Sequence, residues 1–125
     1  MIPQAYITEW ASQVPWQTNE QVEQDLVICR ALVEIFSDEF LAKSLAFRGG
    51  TALHKLYLQP QPRYSEDIDL VQIRPEPIKE TIQRLQARLS FLGDCTLAQK
   101  ANNNTLKYRF ESEFGLRWLY MAYYR

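Results

Sequence analysis

The chain has 125 residues, 46% of them hydrophobic and 13% aromatic, with 14 basic and 15 acidic side chains and a net charge of -1. Length and composition are typical of a single globular domain and exclude a disordered or fibrous chain. The balanced charge excludes a molecule-wide basic surface for nucleic acid or anionic membrane, so any polyanion has to be bound locally.

Cysteine and histidine are scarce, which excludes further classes of protein. Cys29 and Cys95 are far apart, and His54 is the single histidine, so neither a disulfide framework nor a Cys/His zinc site is expected. Two unpaired thiols suit a reducing compartment. The first ten residues do not resemble a signal peptide, and no apolar run is long enough for a membrane span. We therefore expect a cytoplasmic protein without a membrane partner.

The first half of the chain predicts helices. Residues 5–14 favour a short helix ended by Pro15, and Thr18 or Asn19 can cap a longer amphipathic one. The apolar stripe of that second helix consists of Val22, Leu26, Cys29 or Val27, Leu32 or Val33, and Phe36. Residues 40–45 are apolar and compatible with a helix. We interpret the long helix as scaffold that faces the core.

The middle of the chain contains the strongest break and the clearest strand. Gly49-Gly50 interrupts the pattern, and residues 52–58 favour a helix that Pro60 and Pro62 terminate. Residues 67–73, rich in branched aliphatics, then predict a buried strand.

The second half predicts one more helix and a hairpin. Pro75 and Pro77 begin the helix, and Gly93 is a suitable C-cap. Residues 94–114 favour two strands with a turn at residues 102–104. In the second strand, Leu106, Tyr108 and Phe110 share one face while Lys107, Arg109 and Glu111 share the other. The aromatic residues 116–125 are compatible with a final strand or an exposed tail.

These segments suggest one domain over residues 1–125. It consists of a helical lead-in at 1–44, a motif core at 45–114 and an aromatic tail at 115–125.

Asp67 and Asp69 are the first candidate site residues. Carboxylates at positions i and i+2 of a strand point to the same face, with alpha carbons about 6 to 7 Å apart. Ile68 and Leu70 point to the opposite, apolar face, so a stiff element holds the acids. Oxygen ligands of this kind suit Mg²⁺, which keeps several waters and bridges to phosphates. An Asp-x-Asp pair by itself equally describes two solvated acids at a strand end.

Gly49-Gly50-Thr51 precedes the acids at an apparent strand-to-helix junction. Backbone N–H groups and the positive end of a helix can receive a phosphate there, and a Cβ would block the approach. A plain tight turn with Thr51 as N-cap explains the same residues, and the two roles are compatible. Arg48, Lys55 and Arg63 flank the motif and can neutralise phosphate as nucleotide-binding residues, although each alone also fits a solvated surface cation.

Two segments together carry a family resemblance. Residues 47–55, Phe-Arg-Gly-Gly-Thr-Ala-Leu-His-Lys, and residues 63–70, Arg-Tyr-Ser-Glu-Asp-Ile-Asp-Leu, resemble the signature of the AbiEii/AbiGii toxin family of nucleotidyltransferases. The likeness extends over residues 20–114. It implies an α+β, polymerase-beta-like nucleotidyltransferase fold, with a small mixed or antiparallel sheet flanked by helices.

The resemblance also implies a site and its ligands. It assigns Gly49, Gly50 and Thr51 to the triphosphate, Asp67 and Asp69 to catalysis and metal, and Arg63 and Ser65 to the loop that shapes the same site. The expected cofactor is Mg²⁺, in an arrangement compatible with two metal ions, and the expected substrate is a nucleoside triphosphate.

Family members are toxins of toxin-antitoxin or phage-abortive systems, and several transfer a nucleotide to RNA such as tRNA. The resemblance therefore implies an RNA or protein acceptor and an antitoxin partner, and it leaves the oligomeric state open. Members continue into a helical carboxy-terminal half and carry a third acid on the strand after the hairpin. Here residues 116–122 contain no acid, and the nearest are Glu111 and Glu113. We therefore expect a truncated member.

Two alternatives stay open. A catalytically degenerate module would keep nucleotide binding or pair with an antitoxin, and the aromatic residues Trp118, Tyr120, Tyr123 and Tyr124 favour it as an interface. A structural domain that binds Ca²⁺ or an anion would leave the glycine loop unexplained.

Overall fold

The computed structural model describes residues 2–49, 52, 55, 67–74, 77–100, 103–112 and 115–124. The helices whose bounds fall within these ranges are α1 (Gln4–Ala11), α2 (Asn19–Phe36), α3 (Glu39–Ser44) and α4 (Ile78–Arg88), and a 3-10 turn follows at Ser90–Leu92. Its strands are β1 (Leu45–Arg48), β2 (Ile68–Gln72), β3 (Cys95–Lys100), β4 (Asn103–Ser112) and β5 (Gly115–Tyr124). No helix in these ranges combines the length and the apolar composition needed to cross a bilayer.

The five strands form one sheet in the order β1-β2-β5-β4-β3. β2 and β5 run parallel, whereas the other three neighbouring pairs run antiparallel. This mixed, mostly antiparallel sheet with its helices confirms the predicted α+β fold. β5 lies between β2 and β4, so the aromatic end of the chain is a central strand and not an exposed tail.

The helix starts follow local side-chain chemistry. Thr18 caps α2 through a reciprocal pair of hydrogen bonds with Gln21, which confirms the predicted start. α1 ends at Ala11, before the predicted end at Val14. At that point the Ser12 hydroxyl donates to the Glu9 carbonyl at 2.7 Å, and such side-chain bonds to the backbone compete with further helix.

The predicted apolar stripe of α2 is confirmed but incomplete. Val27 is fully buried, and of the alternatives Leu32 and Val33 it is Leu32 that packs against the core, whereas Val33 is 65% exposed. The core side of the helix also includes Ile28 and Ile35. Polar residues of α2 were expected to face solvent, but three of them are buried, because each has a polar partner. They are Glu23, Gln24 and Asp25.

One face of the sheet packs against the helices. Tyr123 is among the buried side chains of this inner face, and its hydroxyl donates to the Gln72 side-chain oxygen at 2.9 Å. It therefore belongs to the core, and its assignment to an aromatic interface is wrong. The other buried apolar residues of β2 and β5 on this face are Ile68, Leu70, Leu119 and Met121.

The hairpin forms as predicted, with a different turn. Asn103 and Asn104 lie within β4, opposite Lys100 and Gln99, so a turn that includes them is wrong because both asparagines are in the ladder. The connecting residues lie outside the described ranges. The predicted alternation of β4 is confirmed by its burial pattern. Gly93, with a φ of +90°, caps the 3-10 turn and not α4 itself.

Candidate active site

β2 carries Asp69 on the outer face of the sheet, and Asp67 directly precedes the strand. Ile68 and Leu70 are fully buried on the inner face, whereas Asp67 is exposed and Asp69 is half-buried. Side chains alternate along a strand, so the two acids point away from the helices. The outer face is therefore where a ligand of these carboxylates has to bind.

Gly49 lies directly against Asp69. Its φ is +85°, and a Cβ at this position would stand 2.6 Å from the Asp69 Oδ2 atom. Only glycine permits both the backbone conformation and this approach. The fold thus brings the start of the glycine loop and one acid of the pair together, although residues 50–66 apart from 52 and 55 are not described.

Arg48 lies on the strand next to β2, at the position beside Asp69. It is the β1 partner of Asp69 in the ladder, so both side chains emerge on the outer face. The side chain is exposed, and its guanidinium carbon lies 5.1 Å from the centre of the Tyr124 ring. Arg48 directly precedes Gly49 in the chain, so an exposed guanidinium on this face is a candidate to pair with an anion at the glycine loop.

Lys55 has a partner on the long helix, and its expected role in nucleotide binding stays a prediction. Its ammonium forms an ion pair with Asp25 on α2, and its side chain is only 9% exposed. The Trp10 indole N–H also donates to Asp25, at 2.7 Å. Ala52 and Lys55 are helical, so this buried pair ties the segment after the glycine loop to the long helix. The structure brings Lys55 to α2, while Asp69 lies against Gly49 and is the ladder partner of Arg48.

Cys29 completes the surroundings of Lys55. Its Sγ atom lies 3.4 Å from the Lys55 ammonium. Burial raises the pKa of the Cys29 thiol above its usual value, and the positive charge of Lys55 offsets only part of that effect. The thiol is therefore a packing group beside the ion pair, not an activated nucleophile.

Gly50, Thr51, Arg63 and Ser65 lie outside the described residues, so their expected roles stay predictions. Sequence reasoning missed Asp25 as the anchor of Lys55. A signal was available, because Asp25 follows Val22 by three positions and precedes Cys29 by four, on the face of the helix that the apolar residues mark.

Ala122 occupies the β5 position opposite Asp69. Its side chain emerges on the same outer face, where the resemblance would place a third acid. Glu111 pairs with Leu116, six positions away along β5, which corresponds to about 20 Å. Glu111 is therefore excluded as the missing acid, and Glu113 is not described. Within the described part of the chain, no group of three or more His, Cys, Asp or Glu residues forms a metal site.

The residues present fit a magnesium ion that keeps part of its water shell. Asp67 and Asp69 offer carboxylate oxygens on an open face, and the space that a Cβ of Gly49 would fill adjoins one of them. Mg²⁺ is usually held by one or two carboxylates together with substrate phosphates and water, so a pair of acids is sufficient for binding.

Comparison with known proteins identifies the family. The sequence model of the nucleotidyl transferase AbiEii toxin family, a Type IV toxin-antitoxin system, matches residues 30–122. The chain belongs to this family. The match covers the acid pair, the glycine loop and most of β5, so the AbiEii assignment rests on the same segments that build the candidate site.

Solved structures share the fold of this AbiEii member. JHP933 from Helicobacter pylori aligns with a TM-score of 0.64 and 17% identity, over 87% of this chain and 45% of that one. MenT4, a nucleotidyltransferase toxin from Mycobacterium tuberculosis, aligns with a TM-score of 0.53 and 19% identity, over 100% of this chain and 44% of that one. The chain thus spans less than half the length of these proteins. No curated protein sequence matches it.

Proposed function

We propose that this AbiEii chain binds a nucleoside triphosphate with Mg²⁺ and transfers its nucleotidyl group to a hydroxyl of RNA such as tRNA. One observation carries the proposal: the Gly49 backbone lies against the Asp69 carboxylate, on the face to which Asp67 and Arg48 also point. A glycine loop beside two acids and a cation provides groups for both the phosphates and the metal. The reactants are cytoplasmic, where we expect the protein to act.

The reaction needs an in-line geometry at the alpha-phosphorus. The acceptor hydroxyl attacks this atom, a new P–O bond forms, the bond to the beta-phosphate oxygen breaks, and pyrophosphate leaves with the electron pair. Arg48 and the backbone at Gly49 hold the phosphates, while Asp67 and Asp69 hold Mg²⁺. When bound, Mg²⁺ neutralises the charge that develops on the phosphate oxygens. The hydroxyl proton passes to a carboxylate of the pair or to solvent.

Ala122 makes transfer the weak step of this proposal. A third carboxylate beside Asp69 would help to orient or deprotonate the acceptor, and loss of a positioned acid-base group costs roughly 10² to 10⁴ in rate. We therefore expect binding to be retained and transfer to be slow. The same observation favours a second candidate function, a nucleotide-binding module that acts by pairing with an antitoxin. In both cases an antitoxin is the expected protein partner of the family.

Calorimetric titration tests the binding half of the proposal. Each nucleoside triphosphate is titrated with Mg²⁺ into the wild-type chain and into the variants Asp67→Ala and Asp69→Ala. We expect both variants to fold as well as the wild type or better, because removal of one of two like charges relieves repulsion, and to lose metal-dependent binding. Glu111→Ala removes an exposed acid from the same sheet face at a distance and should bind normally. Unchanged affinity in both aspartate variants would identify the acids as ordinary surface charges.

A labelling assay tests the transfer half. The purified chain is incubated with each labelled nucleoside triphosphate, Mg²⁺ and total bacterial tRNA, beside Asp69→Ala. Weak labelling that depends on Asp69 supports the enzyme, and binding without labelling supports the antitoxin-paired module. Rapid labelling that depends on Asp69 would show that another residue completes the site.

A further inference from the structure

The outer face of the sheet continues from Asp69 to a pair of exposed aromatic rings. Along β5, side chains two positions apart share a face, so Ala122, Tyr120 and Trp118 point outward in succession. Ala122 adjoins Asp69, and the two rings lie about 7 and 13 Å further along the strand. They therefore form a row that begins at the proposed reaction centre.

The two rings are exposed and share one orientation. Trp118 is 46% exposed and Tyr120 is 40% exposed, although both lie on a central strand. Their planes differ by 13°, and their centres are 6.3 Å apart. Parallel rings with free surface are the feature on which successive unpaired bases stack in proteins that bind single-stranded nucleic acid.

Two cations of β4 flank this row. Lys107 is the ladder partner of Tyr120, and Arg109 is the ladder partner of Trp118, so all four side chains emerge on the outer face. The Arg109 guanidinium carbon lies 5.8 Å from the centre of the Trp118 ring. In the described residues of β3, β4 and β5 the acidic side chain is Glu111, at the end of the row beyond Trp118. Asp67 precedes Ile68, the ladder partner of Met121, so the register places this acid beside Tyr120 on the β2 side of the row. Between Glu111 and Ala122, the β4 side of the row is thus basic in a chain of net charge -1.

We propose that Trp118 and Tyr120, with Lys107 and Arg109 beside them, bind a single-stranded nucleic acid by stacking on its bases and pairing with its phosphates. Stacking accepts every base, so the surface would select single strands over duplexes without reading sequence. The inference rests on the proposed function only for the orientation of the bound nucleic acid, because a strand bound along this row would present its end to Asp69. The charge pattern favours this ligand over an apolar protein surface, for which flanking cations have no role.

Binding of a labelled single-stranded oligoribonucleotide of about ten nucleotides tests the proposal, with the duplex of the same sequence as a comparison. We expect Trp118→Leu and Tyr120→Leu each to weaken the single-strand affinity by about 5- to 100-fold, the range for loss of one stacked base. Trp118→Phe and Tyr120→Phe keep a flat aromatic ring and should stay within a few-fold of the wild type. Leucine variants that bind as well as the phenylalanine variants would overturn the stacking argument.

Salt dependence tests the cations. Lys107→Gln and Arg109→Gln should each reduce the slope of the logarithm of affinity against the logarithm of salt concentration by about 0.7. Lys79→Gln removes an exposed lysine of α4, on the helical side of the sheet, and should leave the slope unchanged. If the slopes of the Lys107 and Arg109 variants equal that of the wild type, these cations do not contact the nucleic acid.

Asp69→Asn separates this inference from the proposed function. This variant should lose metal-dependent nucleotide binding and keep the oligonucleotide. A wild-type chain that binds the oligonucleotide without nucleoside triphosphate binding would refute the proposed function and support the row of rings. Nucleotide binding without oligonucleotide binding would refute the proposed stacking surface and leave the proposed function standing. Self-association that persists in the leucine variants, with no oligonucleotide binding by the wild type, would identify this face as a protein-docking surface and overturn the inference.

Discussion

Gly49 combines two constraints in one residue, a φ of +85° and contact with the Asp69 carboxylate. Gly49→Ala would strain the backbone by about 1 to 2 kcal/mol and would displace the carboxylate from the loop. We expect a folded variant whose nucleotide affinity falls at least as far as that of Asp69→Ala. Gly93→Ala is a matched control, because Gly93 has a φ of +90° but its nearest atom, the Arg109 carbonyl oxygen, would lie 3.9 Å from the new Cβ. Equal nucleotide affinities in the two variants would contradict the placement of Gly49 in the nucleotide site.

Ala122 is the position at which a substitution can add a third carboxylate to the candidate site. Ala122→Asp would place a third carboxylate on the strand next to Asp69. Without metal, we expect a lower melting temperature than in the wild type, because three like charges repel one another. With Mg²⁺ the loss should reverse, and nucleotide transfer should accelerate. Ala122→Asn has the same shape without the charge and should show neither effect in the same melting and labelling assays.

At the scale of elements, the Asp25–Lys55 pair joins α2 to the segment after the glycine loop. Asp25→Leu alone should destabilise the fold by about 3 to 5 kcal/mol, because it leaves a buried ammonium without its partner. The double variant Asp25→Leu/Lys55→Met should recover much of this stability in denaturant unfolding. If Lys55 acts only through Asp25, the double variant will bind nucleotide as the wild type does. A folded double variant with affinity reduced tenfold or more would return Lys55 to the nucleotide site.

Asp38 joins the start of α3 to α4. It caps α3 by accepting the Leu41 N–H at 3.1 Å, and it faces Arg84 and Arg88 of α4. Desolvation raises the pKa of Asp38, but the hydrogen bonds and the two cations outweigh it, so the net pKa is below the ordinary value.

A carboxyl with a lowered pKa stabilises the fold above its unfolded pKa of about 3.9 and loses that contribution as the pH falls through its folded pKa. We expect Asp38→Ala to reduce the free energy of unfolding at neutral pH by at least the 0.5 to 2 kcal/mol of a lost cap. The difference from the wild type should shrink below about pH 4 in urea titrations. A difference that stays constant across this range would show that the charge of Asp38 has no part in it.

For the whole molecule, ligand binding at the acid pair should appear as a rise in stability. A ligand at one hundred times its dissociation constant stabilises the native state by about 2.7 kcal/mol. Nucleoside triphosphate with Mg²⁺ should therefore raise the melting temperature of the wild type, whereas either ligand alone should do less. The aspartate variants should show no such rise. Equal rises in wild type and Asp69→Ala would place nucleotide binding elsewhere on the molecule.

Local patterns in the sequence determined much of the fold. Alternation along a strand correctly placed Asp69 on the face opposite Ile68 and Leu70, because side chains on a strand repeat every two residues. The cap at Thr18 was equally predictable, since it depends on residues within one helical turn. Helical spacing marked Asp25 as facing the core, but its partner could not be predicted, because Lys55 lies 30 positions away in the chain.

Only the tertiary structure decided which strands became neighbours. Periodicity describes one strand at a time, so it left residues 116–125 as either a strand or a tail, and the parallel pairing of β2 with β5 could not be inferred from it. That pairing sets Ala122 opposite Asp69 and places Glu111 at the far end of the ladder. It also buries Tyr123 and leaves Trp118 and Tyr120 exposed on the face of the acids. The sequence by itself determined which residues are candidates for binding metal and phosphate, whereas long-range strand register decided which groups surround them.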